Sequence, residues 1–275
     1  MQAEPGSFGT LPPPKAESKD GLEIVKTKPS GKPKMPPGFL MPFNVIGDDD
    51  RTEIEDTSDF PNRSICFLRI TFADGSTGTG TGWLVAPRTV ISAGHCVFDH
   101  PTGGRVISVE VTPGACRKKT APFGSYLTTQ VACSEAWQKD GWKLNQPDVH
   151  DHDYGAIFLN EDSRVGELLG YFGYQDIQTE ILQSRPFCLC GYPSDKAKHS
   201  QWYHVRNLSG VNERNLSYEI DTYFGQSGAP VWYVGKDGNR FVVGVHNAGS
   251  SRANFATRLN DPVFQQIKTW RAQGS

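Results

Sequence analysis

From about residue 44 onward the sequence predicts an all-β fold, a barrel or a sandwich, closed by a single C-terminal α-helix. Three observations carry this expectation. Short apolar runs recur between Gly, Pro, Asp or Asn; only one stretch has helical periodicity; and the number of short strands with a terminal helix suits a β-barrel or sandwich. The first 43 residues differ. They hold nine of the 19 prolines and six lysines, with few large apolar residues before GFLMPF at 38–43. Such a segment can bury little. Residues 1–43 are therefore read as an extended or disordered leader or propeptide, and 44–275 as the folded unit.

Taken in order, the strand candidates are SICFLRITF (64–72), GTGWLVAP (80–87), TVISAGHCVF (89–98), RVISVEV (105–111), YGAIFL (154–159), RPFCLCGYP (185–193), APVWYVG (229–235) and RFVVGVHNAG (240–249). The helix is DPVFQQIKTW. Asp261 is its expected cap and Pro262 lies in the first turn, while Val263, Phe264, Ile267 and Trp270 fall on one face. No internal repeat is present.

A chain of 275 residues suits one large domain or two small ones. Its formal net charge of -2 and pI near 6.4 argue against nucleic acid or an anionic membrane as partner. No apolar run approaches the roughly 20 residues of a membrane span. The start, MQAEPGSFGT, lacks the basic beginning and apolar centre of a signal peptide, so either the protein is not secreted or its signal has been removed. Six cysteines, at 66, 96, 116, 133, 188 and 190, make no zinc spacing, which favours disulfides in an oxidising compartment. Cys188 and Cys190 are placed on opposite faces of a strand and are not expected to pair with each other.

The stretch DTYFGQSGAP (221–230) carries the first chemical signal. It sets Ser227 between glycines, and Gly225 can take a backbone conformation that lets its N–H and that of Ser227 converge on one oxyanion. A serine nucleophile needs a base. TVISAGHCVFD offers His95 after an apolar run, and DHDYGAIFL offers Asp153 before one, positioned to fix the histidine tautomer. Each has a plainer reading: a tight turn, a core histidine, a turn aspartate. DVHDHD, with Asp148, His150, Asp151, His152 and Asp153, has the look of a metal cluster, but no second ligand group accompanies it and no metal or other cofactor is assigned. Calcium likewise lacks a loop of ligand spacing.

The order His95, Asp153, Ser227 and the words AGHC, DYGAI and GQSGAP resemble the chymotrypsin-like serine endopeptidases. VIGDDDRT, TGWLVAPRTVISAGHCVFD, GYFGY, GYPSDK, DTYFGQSGAPV and VGVHNAG resemble most closely the bacterial glutamyl endopeptidases. The resemblance implies two six-stranded antiparallel β-barrels with a C-terminal α-helix and a triad of His95, Asp153 and Ser227 between the barrels. It also implies an oxyanion hole from Gly225 and Ser227, and a secreted, extracellular, monomeric zymogen cutting protein or peptide substrates. The chain order differs from that of α/β-hydrolases, where the nucleophile comes first. A catalytically inactive binding protein on the same fold, and a serine protease of different primary specificity, are the alternatives.

Two departures stand out. Gln226 replaces the aspartate that digestive members carry before the serine, so capture of a new N-terminus there is absent. The cysteine often found at the start of the second strand is also missing, in TGTGTGW. Cys66 is taken as the partner of Cys96, and Cys116 as the partner of Cys133. The same resemblance carries a glutamate-binding histidine and hydroxyl onto His246 and Thr222, and places the mature N-terminus at or next to Asn44, whose α-amino group is a third donor. It implies cleavage after glutamate and more weakly after aspartate, with no Arg or Lys in the pocket-forming segments.

Overall fold

The computed structural model describes residues 1–7, 45–143 and 149–275. Strand β1 (Gln2–Glu4) lies at the chain's start and β2 (Thr52–Ile54) leads into the body. The first sheet follows with β3 (Ile65–Thr71), β4 (Thr77–Leu84) and β5 (Thr89–Ser92). After a small ribbon of β6 (Phe98–Asp99) and β7 (Gly104–Arg105) come β8 (Ser108–Pro113), β9 (Tyr126–Thr128), β10 (Val131–Cys133) and β11 (Gly155–Phe158). The order β10-β11-β5-β4-β3-β8-β9 is antiparallel throughout. Among the described residues its two end strands do not pair, so this half is an open barrel.

The second half contains β12 (Gly173–Asp176), β13 (Pro186–Gly191), β14 (Gln201–Val211), β15 (Asn215–Tyr218), β16 (Pro230–Val234), β17 (Arg240–Gly249) and β18 (Asn254–Arg258). Pairing runs β13 to β14, β15, β18, β17, β16 and back to β13, a closed six-stranded antiparallel barrel. Strand β12 runs parallel to β17 outside that ring, β1 adds to β12, and β2 adds to β14. The expected two barrels are thus one closed ring and one seven-stranded half-barrel. Of the first seven residues, expected with the rest of the leader to be extended or disordered, Gln2–Glu4 are extended as a strand on the body and Ser7 forms a bridge to Tyr171.

Among the described residues there are four α-helices: α1 (Glu135–Asp140), α2 (Val165–Leu169), α3 (Thr179–Gln183) and α4 (Asp261–Gln273). In α4 the four predicted apolar side chains are the buried ones, each stabilising the fold by about 1.5–3 kcal/mol when fully withdrawn from water. The cap is Asn260, not Asp261: its side chain accepts from the Val263 N–H, and Asp261 begins the first turn. Three apolar cores result. One fills the half-barrel, around Leu68, Ile70 and Val109; one fills the closed barrel, around Phe187, Leu189 and Val231. The third, with Ile65, Trp83, Tyr192, Val245 and Ile267, joins the two halves under α4.

All six cysteines are free, which overturns the expected disulfides. The position facing Cys96 is Gly80: a Cβ there would stand 2.9 Å from the Cys96 Sγ, but it bears no thiol. Cys66 instead faces Gly82 and Pro113 on its neighbouring strands. Cys116 follows β8 while Cys133 pairs with Gly155 at the other end of the sheet order. The period of two along β13 corrects a second expectation. Cys188 and Cys190 share a face, toward the inter-barrel core, while Phe187 and Leu189 point into the closed barrel.

Candidate active site

His95 sits in a 3-10 turn, Gly94–Cys96, at the end of β5. Two bonds tie it to Asp153, just before β11: the His95 backbone N–H donates to Asp153 Oδ1 at 2.8 Å and Nδ1 meets Oδ2 at 2.7 Å. Nε2 lies 2.7 Å from Ser227 Oγ. Three side chains separated by 58 and 132 positions thus form one hydrogen-bonded line across the seam between the halves. Asp153 is completely buried. Burial alone would raise its pKa, but attraction to His95, aided by the nearby His150 and by hydrogen bonding from His95, outweighs it and holds the carboxyl below its usual range. For His95, burial pulls downward while the Asp153 carboxylate more than offsets it, leaving the imidazole well above its ordinary value.

The nucleophile loop is clamped from the opposite half. Thr81 of β4 donates its N–H to the Ser227 carbonyl at 2.8 Å and its hydroxyl to the Gly225 carbonyl at 2.7 Å. Gly225 has φ +93°, and a Cβ there would lie 2.4 Å from the Tyr192 carbonyl oxygen, so only glycine fits. Among the described residues no protein acceptor takes the N–H of Gly225 or of Ser227. Gln226, buried where digestive members have aspartate, closes its own turn by accepting from the Tyr223 N–H at 2.9 Å. Behind Asp153, Asn247 donates to the His150 carbonyl at 2.7 Å and to Thr257 Oγ1 at 2.8 Å.

Beside this line lie His246 and Thr222, both completely buried. The strand bearing His246 is joined to the nucleophile loop: its carbonyl accepts from the Gly228 N–H at 2.7 Å and its N–H donates to Ala229 at 3.0 Å. His246 Nδ1 lies 2.9 Å from the Phe255 carbonyl and 2.8 Å from the Tyr218 hydroxyl. A carbonyl only accepts, so Nδ1 carries the proton. Burial pushes the His246 pKa down to about 3, which makes the ring neutral at pH 7. Thr222 Oγ1 is buried with no hydrogen-bond partner among the described residues, an arrangement costly without a ligand.

Asp221, next to Thr222, is a residue that sequence reasoning missed. Its two carboxylate oxygens accept the N–H of Ile46 at 2.8 Å and of Asp50 at 2.9 Å. Arg51 extends the tie by pairing with Asp49 at 2.8 Å and Asp195 at 2.5 Å. The start of the body is thereby fastened to the loops bearing Asp221 and Asp195. Asn44, expected to supply the terminal amine, lies outside the described residues. So does Asp148. Of the rest of DVHDHD, Asp151 accepts from Asn215 and His152 meets Arg214.

Asp50, His204 and Asp221 bring ligand-type atoms within 4.8 Å of one another. Those atoms already face donors: the two backbone amides on Asp221, Arg206 Nη2 on Asp50 at 2.6 Å, and Arg206 Nε on His204 Nε2 at 3.0 Å. The cluster is an anchor in which Arg206 bridges Asp50 and His204, and its donor set does not fit a cation.

The sequence pattern of the trypsin family matches residues 59–270. Glutamyl endopeptidase of Bacillus licheniformis is 32% identical over 260 residues, 90% of this chain and 76% of the relative. A Bacillus subtilis protein named extracellular metalloprotease is also 32% identical, over 85% of this chain and 72% of its own. Among solved structures, a Glu endopeptidase bound to MPD superposes with TM-score 0.70 at 28% identity, covering 83% of this chain and all of the other. The protease Anisep of Arthrobacter nicotinovorans, at 16% identity and TM-score 0.64, shares the fold. The chain belongs to the trypsin family of chymotrypsin-like serine endopeptidases and, within it, to the family of the glutamyl endopeptidases.

Proposed function

We propose that the protein is a secreted endopeptidase that hydrolyses peptide bonds after glutamate, and more weakly after aspartate, through an acyl-enzyme on Ser227. The observation that carries this reading is the line Ser227 Oγ, His95 Nε2, His95 Nδ1, Asp153 Oδ2, with 2.7 Å at both joints. His95 takes the Ser227 proton as Oγ bonds to the scissile carbonyl carbon, and the carbonyl oxygen becomes an oxyanion facing the N–H groups of Gly225 and Ser227. Collapse breaks the C–N bond, and His95 returns the proton to the leaving amine. Water then repeats the sequence to release the new carboxyl terminus and free Ser227. Asp153 holds the tautomer and stabilises the imidazolium.

The glutamate side chain would be held by His246 and Thr222, both buried beside the nucleophile. A carboxylate entering such a pocket needs compensating donors. Residues 1–43 would be a removable leader, and the mature α-amino group at or next to Asn44 a further donor. The tie between Asp221 and the Ile46 amide supports its approach.

The test uses the active enzyme, with its N-terminus sequenced, on a matched peptide set varying only the residue before the scissile bond among Glu, Asp, Gln, Lys and Phe. Glutamate should lead, and Ser227→Ala or His95→Ala should each lower kcat by on the order of 10⁶, with little further loss when combined. A preference for Lys or Phe sinks the glutamyl reading alone. Near-normal turnover in Ser227→Ala sinks the mechanism. A fluorophosphonate should label Ser227 and abolish activity, whereas a chelator should leave it; the reverse would point to metal-dependent cleavage.

A further inference from the structure

Strand β1 occupies the outer edge of β12, far along the chain from the residues of the catalytic line. The register is antiparallel, with Gln2 opposite Asp176, Ala3 opposite Gln175 and Glu4 opposite Tyr174. It continues past Pro5 into a bridge, where the Ser7 N–H donates to the Tyr171 carbonyl at 2.8 Å and the Tyr171 N–H donates to Ser7 at 2.6 Å. Gly6 allows this closeness: a Cβ there would stand 2.3 Å from the Tyr171 oxygen and 2.4 Å from the Gly173 nitrogen. Both of these are backbone atoms that cannot swing away.

The side chains of the strand are read as well as its backbone. Glu4 pairs with Lys268 at 3.2 Å and Arg271 at 3.1 Å, both on α4. Gln2 donates to Asp261 at 2.7 Å and accepts from Gln265 at 2.9 Å. Positions two apart on a strand share a face, so residues 2 and 4 both address α4 while the backbone addresses β12.

We propose that the β12 edge and the outer face of α4 form a strand-acceptor site for an extended peptide carrying an acid two residues before a glycine, and that residues 1–7 are its ligand in cis. The recognition is β-strand addition: main-chain bonds give affinity, and the Glu4 and Gly6 positions give selectivity. Thirty-seven residues, 8–44, separate this ligand from the described start of the body. Carrying ligand and site on one chain gives the ligand an effective concentration of about 1 mM. Seven residues with two partly exposed ion pairs bind modestly as a free peptide. The covalent link therefore keeps the site filled, and cutting it lets the peptide leave on dilution. That last consequence rests on the leader being removable; the binding itself does not, and it is independent of the catalytic reading.

The test uses the full chain carrying Ser227→Ala, so that self-processing cannot intervene, and follows amide exchange at Tyr171 with and without Gly6→Val. Exchange at Tyr171 should be about tenfold slower or more with Gly6 present, while the unfolding midpoint of the body changes little. Synthetic MQAEPGS at a few times the ~1 mM effective concentration should restore the slow exchange in the Gly6→Val chain, and the same peptide with valine at its sixth position should not. Equal exchange with and without Gly6→Val overturns the proposal, as does failure of the synthetic peptide to protect. Protection that appears only in a concentration-dependent dimer assigns the edge to a second copy's strand and overturns the cis assignment.

Discussion

Two histidines, His95 partly exposed and His246 fully buried, are set in opposite directions, and this difference is measurable. His95 is raised by its aspartate, His246 depressed by burial to about 3. A general base works only when neutral, so kcat/KM on a peptide with Gln before the scissile bond should fall as pH drops through the raised His95 pKa, above the ordinary 6.5. His246 gives glutamyl substrates a second dependence of opposite sign. Its Nδ1 proton is committed to Phe255, so Nε2 can donate to a carboxylate only after the ring gains a second proton. Binding glutamate then takes up a proton, and the Glu-to-Gln ratio of kcat/KM should decline as pH rises, by up to about tenfold per unit. A flat ratio counts against His246 as the glutamate donor. His246→Leu should cost glutamyl peptides a factor of roughly 30 to several thousand, from about 2–5 kcal/mol for a lost buried partner, and should affect neutral peptides less. His95, Asp153, Ser227, His246 and Thr222 could be singled out because their residue types and the resemblance together attach a role to each. Thr81 and Asp221 stand first in two of the same words, but nothing attached a role to them. Their partners lie 144 and 175 positions away, and a threonine in a strand or an aspartate before a turn announces nothing by itself.

At the scale of elements, the fastening of the body's first segment to the loop bearing Thr222 is the arrangement that, under the proposed function, would link processing to specificity. Asp221 bonds the Ile46 and Asp50 amides, Arg51 bridges Asp49 to Asp195, and the Ser194 N–H donates to the Phe224 carbonyl at 2.6 Å. Asp221→Asn replaces one acceptor by an NH₂ that must face a backbone donor. A hydrogen bond to a charged group contributes about 1.5–3 kcal/mol, so kcat/KM for glutamyl peptides should fall roughly 10- to 100-fold, mostly in KM. Labelling of Ser227 by a fluorophosphonate should change little, since that reaction uses no glutamate contact. Loss of labelling in parallel would mean that Asp221 merely supports the loop. The apolar strands that bear the site were readable from their bounding turns. Strand β14 was not, because its exposed half carries Arg206, Asn207 and Ser209 and hides the alternation; nor were α1 to α3, five or six residues each, too short for a 3.6-residue period to register. The α4 cap shifted by one residue because Asn260 and Asp261 are both good caps and Pro262 is tolerated at either of the first two helical positions.

For the whole molecule, the free cysteines decide how the two halves are held. Spacing suggested covalent ties, but the seam is closed by the third apolar core and by Thr81, which grips the nucleophile loop from the other half. Removing a native disulfide typically costs about 2–5 kcal/mol, and in a chain of this size each kcal/mol moves Tm by about 2–4 °C. With all six thiols free, dithiothreitol should leave Tm unchanged; a fall of several degrees would reveal a bond. The same geometry shows where a tie would fit within the first half. A Cβ at position 80 stands 2.9 Å from Cys96 Sγ, close to the ~3 Å that separates a Cβ from the far sulfur of a relaxed disulfide. Gly80→Cys should therefore crosslink to Cys96 under oxidising conditions with little backbone movement. The loop closed, from 80 to 96, is near the length for which chain entropy predicts about 3 kcal/mol, so oxidised Gly80→Cys should melt about 6–12 °C above its reduced form. The crosslink would lie beside the Ser227 carbonyl, which Cys96 Sγ approaches to 3.9 Å, and activity on glutamyl peptides should survive, because the bond stiffens a contact already made. Failure of the two thiols to join, or a lower Tm on oxidation, would mean that β4 and the turn bearing Cys96, both in the first half, are not packed as described.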